Sequence, residues 1–279
     1  MKKLGLIAGG GALPVSLASH CQTAGRPFFV LRLKGFAGPE LDEFPGEEAG
    51  IAELGKGVRL LKQAGCEVVC FAGLVARPDF AALRPDLKGL AAMPGAILAA
   101  RGGDDALLRF LLHAFEKEGF QIEGAHEVMG ELTLPAGPLG KHRPRAQDEP
   151  DIARALEVAR VMGGLDVGQG AVVCAGLVLA VEAQEGTDAM LRRVAELPEA
   201  VRGTPERPRG VLAKAPKPGQ EARIDLPTIG VHTLQRVARA GLAGIAGEAG
   251  RVLVLDRDAF VEMADELGLF VVGVAADGG

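Results

Sequence analysis

A proline-rich stretch in the C-terminal half, residues 213–233 (AKAPKPGQEARIDLPTIGVHT), combines side chains that can bind phosphate and a metal ion. Lys214 follows the apolar run GVLA, which predicts a short strand, and ligands of α/β proteins usually bind at strand ends. Asp225 lies two residues before Pro227, which restricts Leu226 to extended geometry and stiffens the approach to the next helix. The stretch therefore indicates an anion-binding site, with Asp225 either a ligand or a simple turn residue.

The region around this stretch is more basic than the rest of the chain. Residues 202–223 hold six Lys or Arg against two Glu, although the formal net charge of the chain is −5. For the cations from Arg202 to Arg209, a solvated loop is the plainer interpretation. Lys214 differs because of its predicted place at the end of a strand.

A cluster of acidic and hydroxyl side chains follows a long apolar strand in the sequence LAVEAQEGTD, namely Glu182, Glu185, Thr187 and Asp188. A helix cap explains Thr187 or Asp188 alone, but it does not explain several carboxylates after one hydrophobic strand. Mg²⁺ takes oxygen ligands, often one or two carboxylates together with phosphate oxygens of a substrate. Carboxylates for a metal beside lysines for phosphate predict a phosphoryl-transfer or pyrophosphate-cleaving site.

The N-terminal sequence IAGGGALP places glycines where the first predicted strand meets the first helix. Such a turn lets backbone N–H groups approach a phosphate at the helix N-terminus. The dinucleotide fingerprint is incomplete, because Pro14 occupies the place of its third glycine and the second strand ends in LRLKG without an acidic residue. Arg32 and Lys34 would suit a phosphorylated ribose. A phosphate or nucleotide site, a structural turn and a dinucleotide site all remain open.

The composition argues against several classes of protein. The chain has 279 residues, a pI near 5.7 and no Trp or Tyr, so we expect no nucleic-acid partner. The four scattered cysteines indicate reduced core thiols, not disulfides or a metal site. The sequence lacks a signal-peptide pattern and an apolar run of about 18 residues, which predicts a soluble cytosolic protein.

The order of predicted elements indicates two domains of the α/β class. The first half alternates apolar strands with helical segments in a βαβαβ pattern, which favours a Rossmann-like domain with a parallel sheet over residues 1–133. Residues 134–150 are rich in proline and glycine and lack periodicity, so they predict an interdomain linker. Residues 151–279 form a second α/β domain, with a hairpin around Ala175 and Gly176.

Several motifs, taken together and in order, resemble one known family. The segments GLIAGGGALP, GLVARPDF, GGDDALLR, VGQGAVV, AVEAQEGTD and residues 213–233 closely resemble the LpxI-type UDP-2,3-diacylglucosamine pyrophosphatases of lipid A biosynthesis. The likeness extends from about residue 4 to about residue 273. One departure is visible, because Gln220-Glu221 stands where the family motif has Gln-Asp, which retains the charge.

The resemblance implies a Mg²⁺-dependent hydrolase that splits the pyrophosphate of UDP-2,3-diacylglucosamine by attack of water on the β-phosphorus. Its products would be UMP and 2,3-diacylglucosamine 1-phosphate (lipid X). Asp225 matches the key catalytic acid, with Lys214 and Asp188 as further catalytic residues and Asp225 and Asp188 as metal ligands. The substrate-binding positions implied are Gly10, Gly11, Ala12, Gly103, Asp104, Gln169, Thr187, Asp188, Lys214 and Thr233.

Because this substrate resides in a bilayer, we expect the protein to associate reversibly with the cytosolic face of the inner membrane. A homodimer is one arrangement that the sequence leaves open. Two other functions are also open: an NAD(P)-dependent oxidoreductase that uses the glycine turn, and a nucleotide or lipid carrier without catalysis. The acids Asp188 and Asp225 distinguish the hydrolase from the carrier, because carriage alone does not require them.

Overall fold

The computed structural model describes residues 1–76, 79–218, 223 and 226–275, without the side chain of Asp104. The chain divides into two compact units. The first consists of Met1–Gly130 with the short segment Glu221–Ile224, and the second of Glu131–Gln220 with Asp225–Gly279. Among the described residues, no helix is both long enough and apolar enough to cross a bilayer.

The first unit is a parallel sheet with helices. Its strands are β1 (Leu4–Ala8), β2 (Phe28–Leu33), β3 (Gly46–Ala49), β4 (Val68–Ala72) and β5 (Gln121–Ile122). Its helices are α1 (Ala12–Thr23), α2 (Leu54–Gln63), α3 (Leu87–Arg101), α4 (Asp104–Lys117) and α5 (Ala125–Val128). The strand order is β3-β2-β1-β4-β5, and every pair is parallel. This order matches the first five positions of the Rossmann strand order 3-2-1-4-5-6, so the predicted fold class is confirmed.

The central strands of this sheet are apolar because helices cover them. All five residues of β1 are buried, and Ile7 packs in one core with Leu61 of α2, Phe115 of α4 and Phe120 from the loop before β5. Strand β3 (sequence GEEA) was not predicted, since its two glutamates are exposed at the sheet edge and give no apolar alternation. Its pairing with β2 fixes it in place instead.

The second unit is built around a mixed sheet. Its strands are β6 (Gly137–Leu139), β7 (Gly170–Cys174), β8 (Leu177–Val181), β9 (Val211–Lys214), β10 (Thr228–Ile229), β11 (Gly244–Glu248), β12 (Leu253–Val254) and β13 (Phe270–Val274). Its helices are α6 (Glu149–Gly164), α7 (Gly186–Ala195), α8 (Val231–Arg239) and α9 (Arg257–Glu266). The main sheet has the order β6-β13-β11-β9-β7-β8, and β10 pairs with β12 separately.

Both faces of this main sheet are buried. Helix α6 packs on one face, where Ile152 and Leu156 contact a layer that includes Val173 and Ala213. Helices α7, α8 and α9 contribute to the core on the other face, which contains Leu212. Burial on two sides explains why β7 and β9 are nearly continuous apolar runs.

The predicted hairpin connects β7 and β8, and a buried acid stabilises its turn. Ala175 and Gly176 have positive φ angles of 50° and 77°, as a tight hairpin turn of this type requires. The carboxylate of Asp151 accepts hydrogen bonds from the backbone N–H groups of both residues, at 2.8 and 2.7 Å. Helix α6 therefore holds the turn from outside the sheet.

The structure differs from the prediction of a linker over residues 134–150. Gly137–Leu139 pair with β13 as an antiparallel edge strand, and Leu134 and Asp148 are buried in the second unit. Proline is tolerated at an edge because its missing N–H can face away from the partner strand. The composition suggested a tether, whereas long-range pairing with β13 makes these residues part of the second unit.

The four cysteines are buried free thiols in the described structure, as predicted. Burial raises the pKa of Cys66 to about 11 and also raises the pKa of Cys70. A thiol that stays protonated at neutral pH is a poor nucleophile and metal ligand. These cysteines therefore have a packing role.

Helix α3 begins at a side-chain cap. Asp86 accepts hydrogen bonds from the backbone N–H groups of Gly89 and Lys56, both at 2.8 Å. Burial works to raise the pKa of Asp86, but the donated hydrogen bonds outweigh it and the net pKa is lowered. Asp86 thus joins the start of α3 to the start of α2.

We predict that Asp86→Ala lowers the free energy of unfolding by about 0.5–2 kcal/mol at pH 7, the usual cost of losing a helix cap. Because the folded pKa of Asp86 is lowered, its contribution is fully present above the unfolded pKa of about 3.9 and is lost as the pH falls through the folded value. Urea unfolding at neutral and at acidic pH measures the difference. Glu266→Ala, at an exposed carboxylate, is the control. An equal loss of unfolding free energy at neutral and at acidic pH would contradict this role of Asp86.

Candidate functional site

In the first unit, the glycine turn after β1 leaves the start of α1 without a side-chain cap. Gly11 is the N-cap residue with φ of 88°, and a Cβ placed there would meet no atom within 4 Å. Gly11 and Ala12 are exposed, while Gly10 is partly buried. Backbone N–H groups at an uncapped helix start can bind a phosphate oxygen.

The neighbouring loops approach this turn so closely that side chains would not fit. Gly10 and Leu74 exchange backbone hydrogen bonds of 2.9 and 2.8 Å. A Cβ on Gly9 would lie 2.7 Å from the Leu74 carbonyl oxygen, and one on Gly73 would lie 2.6 Å from that of Gly10. The loops after β1 and β4 therefore meet at the carboxyl edge of the sheet, where ligands of such folds bind.

Helix α4 begins at the second predicted glycine motif in a similar way. Gly103 is its N-cap residue with φ of 108°, and no side chain caps the helix. Asp104 is the first helical residue, and its side chain lies outside the described structure. Both predicted glycine motifs of the first unit thus fall at helix N-termini.

Arg32 was considered as a partner for a phosphorylated ribose, and the structure assigns it a different task. Its guanidinium donates to the carbonyl oxygens of Leu41, Phe44 and Gly46 at 2.9–3.3 Å. These contacts attach β2 to the segment that leads into β3. Arg32 therefore stabilises the edge of the sheet. This weakens the argument that Arg32 binds the phosphorylated ribose of a dinucleotide.

In the second unit, Lys214, Glu182 and Thr187 form a buried polar cluster. Lys214 ends β9 and is only 4% exposed. Its Nζ donates to Glu182 Oε2 at 2.8 Å and to Thr187 Oγ1 at 2.6 Å. Thr187 Oγ1 in turn donates to Glu182 Oε1 at 2.7 Å. Two of the three N–H donors of the lysine are used here, so its charge has a fixed position.

The cluster sits against a glycine that leaves room for it. Gly170 pairs with Lys214 across β7 and β9. A Cβ on Gly170 would lie 2.6 Å from Glu182 Oε2 and 3.4 Å from Lys214 Cδ. The second glycine of the VGQGAVV motif is thus required by the ion pair.

Gln169, immediately before β7, carries an unsatisfied acceptor. Its backbone carbonyl accepts from Ala215 N at 3.0 Å, whereas its side-chain Oε1 is buried and accepts no hydrogen bond from the described residues. Leaving a buried acceptor unpaired costs about 1–3 kcal/mol. Such an atom, in the residue just before the strand that pairs with Lys214, is suited to a ligand with an N–H or O–H donor.

Asp188 and Thr233 come from the packed helices α7 and α8. Asp188 Oδ2 lies 2.9 Å from Arg236 Nε, an ionic contact that is not aligned as a hydrogen bond. The Asp188 side chain is 55% exposed, so its oxygens remain accessible. Thr233 Oγ1 accepts from Gly230 N at 3.3 Å and caps the start of α8.

The structure brings part of the predicted set into direct contact. Lys214 and Thr187 touch, Gln169 is adjacent to the strand beside them, and Asp188 is next to Thr187 on α7. Asp225, predicted as the key acid and metal ligand, lies outside the described residues. Within the described ranges, no group of three His, Cys, Asp or Glu is arranged to hold a metal ion.

Glu182 is the residue that sequence reasoning did not place in the site. It was recognised only as one of several acids after an apolar strand. Its position at the end of β8, on the opposite side of β7 from β9, brings it to Lys214. The sequence does show a carboxylate, Glu182, and a lysine, Lys214, at the ends of two apolar strands. The order of the strands in the sheet is needed to recognise that the two side chains form a pair.

We predict that Lys214→Met destabilises the protein by about 3–5 kcal/mol, because it leaves the buried Glu182 carboxylate without its counter-charge. Glu182→Gln in the same chain should recover much of this loss. Urea unfolding of the two single variants and the double variant forms a cycle that measures the coupling.

The matched control is the exposed ion pair Arg154–Glu157, whose side chains are more than half exposed. Arg154→Met should change the free energy of unfolding by less than about 1 kcal/mol. If Lys214→Met costs no more than this control, the buried pair does not have the role described.

Comparisons with known proteins identify the family of the chain. The family model for the LpxI N-terminal domain matches residues 3–132, and that for the LpxI C-terminal domain matches residues 135–272. The chain is also 69% identical over 274 residues to the UDP-2,3-diacylglucosamine pyrophosphatase LpxI of Caulobacter vibrioides, with 98% of each chain covered. The chain belongs to the LpxI family.

Proposed function

We propose that this protein hydrolyses the pyrophosphate bond of UDP-2,3-diacylglucosamine, releasing UMP and 2,3-diacylglucosamine 1-phosphate. The observation that carries the proposal is the 69% identity over 98% of both chains to a relative named for pyrophosphatase action on this compound. At that identity and coverage, both halves of the chain correspond to the relative. Water is the nucleophile, and the β-phosphorus is the atom attacked.

Lys214 is proposed to bind the phosphates of the substrate. Its Nζ is fixed by Glu182 and Thr187 at 2.8 and 2.6 Å, which leaves its third donor for a phosphate oxygen. A cation that is already positioned stabilises the charge developing on the phosphoryl oxygens without reorganisation. Glu182 is then a positioning residue, since it acts through the lysine.

The remaining predicted residues are proposed to bind the rest of the substrate. The turns at Gly10–Ala12 and at Gly103–Asp104 offer uncapped backbone N–H groups to an anion. Gln169 offers a buried acceptor, and Thr187 and Thr233 offer hydroxyl groups. For hydrolysis, the bound groups must neutralise the negative charge of the diphosphate, and the site must exclude bulk water.

Mg²⁺ is the proposed cofactor, and the donor chemistry of the chain fits it. Asp188 presents an accessible carboxylate, and together with Asp225 it gives the one or two carboxylates that Mg²⁺ commonly takes beside phosphate oxygens. When bound, the ion neutralises phosphate charge and lowers the pKa of water. Asp225 is proposed as the essential catalytic acid residue of the site.

Two alternatives receive less support. An NAD(P)-dependent oxidoreductase would use the glycine turn, but Arg32 is hydrogen-bonded to backbone carbonyls and the fingerprint lacks its third glycine. A nucleotide or lipid carrier would bind the same compound without releasing UMP. The turnover measurement below distinguishes the carrier from the hydrolase.

The acyl chains of the proposed substrate place it in a bilayer. We therefore propose transient association with the cytosolic face of the inner membrane. A homodimer is compatible with this proposal, which does not depend on it.

We predict that Asp225→Ala lowers kcat by about 10³-fold or more while leaving substrate binding largely intact, because it removes a group needed for the transition state. UMP release measures turnover, and equilibrium binding of labelled substrate measures affinity. Asp258→Ala, an exposed aspartate of the second unit, is the matched control. A near-normal rate for Asp225→Ala at saturating Mg²⁺ would show that the assigned role is wrong.

We also predict that enzyme treated with EDTA releases no UMP from UDP-2,3-diacylglucosamine, and that added Mg²⁺ restores release. Without the metal ion, only side chains and backbone N–H groups neutralise the phosphate charge that develops during hydrolysis. Product analysis by mass spectrometry in ¹⁸O water identifies the attacked phosphorus. Binding of the substrate without UMP under any condition would favour the carrier.

A further inference from the structure

Helix α3 exposes its large apolar side chains to solvent. Leu87, Leu90 and Leu98 are 89%, 59% and 69% exposed, and Ile97 is also exposed. With 3.6 residues per turn, these four positions and Pro94 fall within an arc of about 100° on one side of the helix. We call this surface the α3 stripe.

The opposite side of α3 includes small residues that pack closely on the first unit. A Cβ on Gly89 would lie 1.9 Å from the carbonyl oxygen of Ala52, and one on Gly95 would lie 2.7 Å from the Phe110 ring. Ala100 is also buried on this side. A surface helix normally buries its large apolar residues and exposes polar ones, so α3 has the reverse arrangement.

The charges on α3 have one sign. Its sequence LKGLAAMPGAILAAR contains Lys88 and Arg101 and no acidic residue, in a chain whose formal net charge is −5. Lys88 pairs with Glu118, and Arg101 is exposed at the C-terminal end of the stripe. At about 100° per residue, Arg101 falls on the same side of the helix as the stripe. A cation beside an apolar face complements an anionic, amphiphilic surface, as in helices that lie in a membrane interface.

We propose that the α3 stripe is the surface by which the protein binds an anionic phospholipid bilayer. The helix, about 22 Å long, would lie in the interface plane with its leucines among the acyl chains. The membrane as partner rests on the proposed function, because that substrate is a lipid. The assignment of the surface rests on the exposure, the reversed packing and the charge of α3.

A single tryptophan reporter tests the location, since the chain has no Trp or Tyr. Leu98→Trp should show a blue-shifted emission, and quenching by brominated lipid, on addition of phosphatidylcholine–phosphatidylglycerol vesicles at low salt. Leu165→Trp is the matched control, because Leu165 is 68% exposed and lies in the second unit. It should show neither change.

Substitution of the stripe tests its contribution to binding. The triple variant Leu87→Ser, Leu90→Ser, Leu98→Ser should lower the vesicle partition coefficient at least about tenfold, because apolar insertion supplies much of the affinity of an interfacial helix. The control triple variant Val161→Ser, Leu165→Ser, Leu177→Ser removes similarly exposed apolar groups of the second unit and should bind like the parent. All six side chains are exposed, so folding is expected to persist, which circular dichroism checks.

The readout uses vesicles without substrate, so it is independent of the hydrolase proposal. Absence of vesicle binding by the parent protein, or equal binding by both triple variants, overturns the assignment. The assignment is also overturned if a stripe variant binds vesicles normally but no longer hydrolyses detergent-dispersed substrate. In that case the stripe binds the acyl chains of the substrate and not the bilayer. A parent dimer that becomes a monomer on stripe substitution without vesicles also overturns it, in favour of a second copy as the occupant.

Discussion

The second unit is organised around the need to neutralise a lysine amine inside a protein. Lys214 ends a strand with apolar neighbours on both sides of the sheet, and an isolated ammonium group there would be strongly unfavourable. Glu182 and Thr187 satisfy it from the end of β8 and the first turn of α7. Gly170 leaves the space that these side chains occupy. One ion pair therefore constrains two strands, one helix and one glycine of the family motif.

Helix starts provide the other recurring constraint. In the first unit, Gly11 and Gly103 have positive φ angles and leave the N-termini of α1 and α4 without side-chain caps. By contrast, α3 is capped by Asp86, which also hydrogen-bonds to the start of α2. A capped helix start serves packing, whereas an uncapped start at the carboxyl edge of a parallel sheet retains donors for a ligand.

Helix α3 shows that hydrophobic composition alone does not locate a core. Its sequence, rich in Leu, Ala and Gly, does not by itself distinguish a buried helix from an exposed one. The structure places Gly89, Gly95 and Ala100 inward and the leucines outward. Glycine permits the close approach at Gly89 and Gly95, and that approach directs the large side chains away from the unit. A helix with this packing is costly in water unless another surface covers it.

The sequence by itself determined the elements whose signal is local: the parallel βαβαβ order, the turn at Ala175–Gly176, the glycine turn before α1 and the position of Lys214 at a strand end. It did not reveal β3 or β6, because their residues carry no apolar alternation and are held by pairing with β2 and β13. It also did not pair Glu182 with Lys214 or assign Arg32 to backbone carbonyls. Those contacts join residues that are distant in the chain or in different loops, and only strand order and packing decide them.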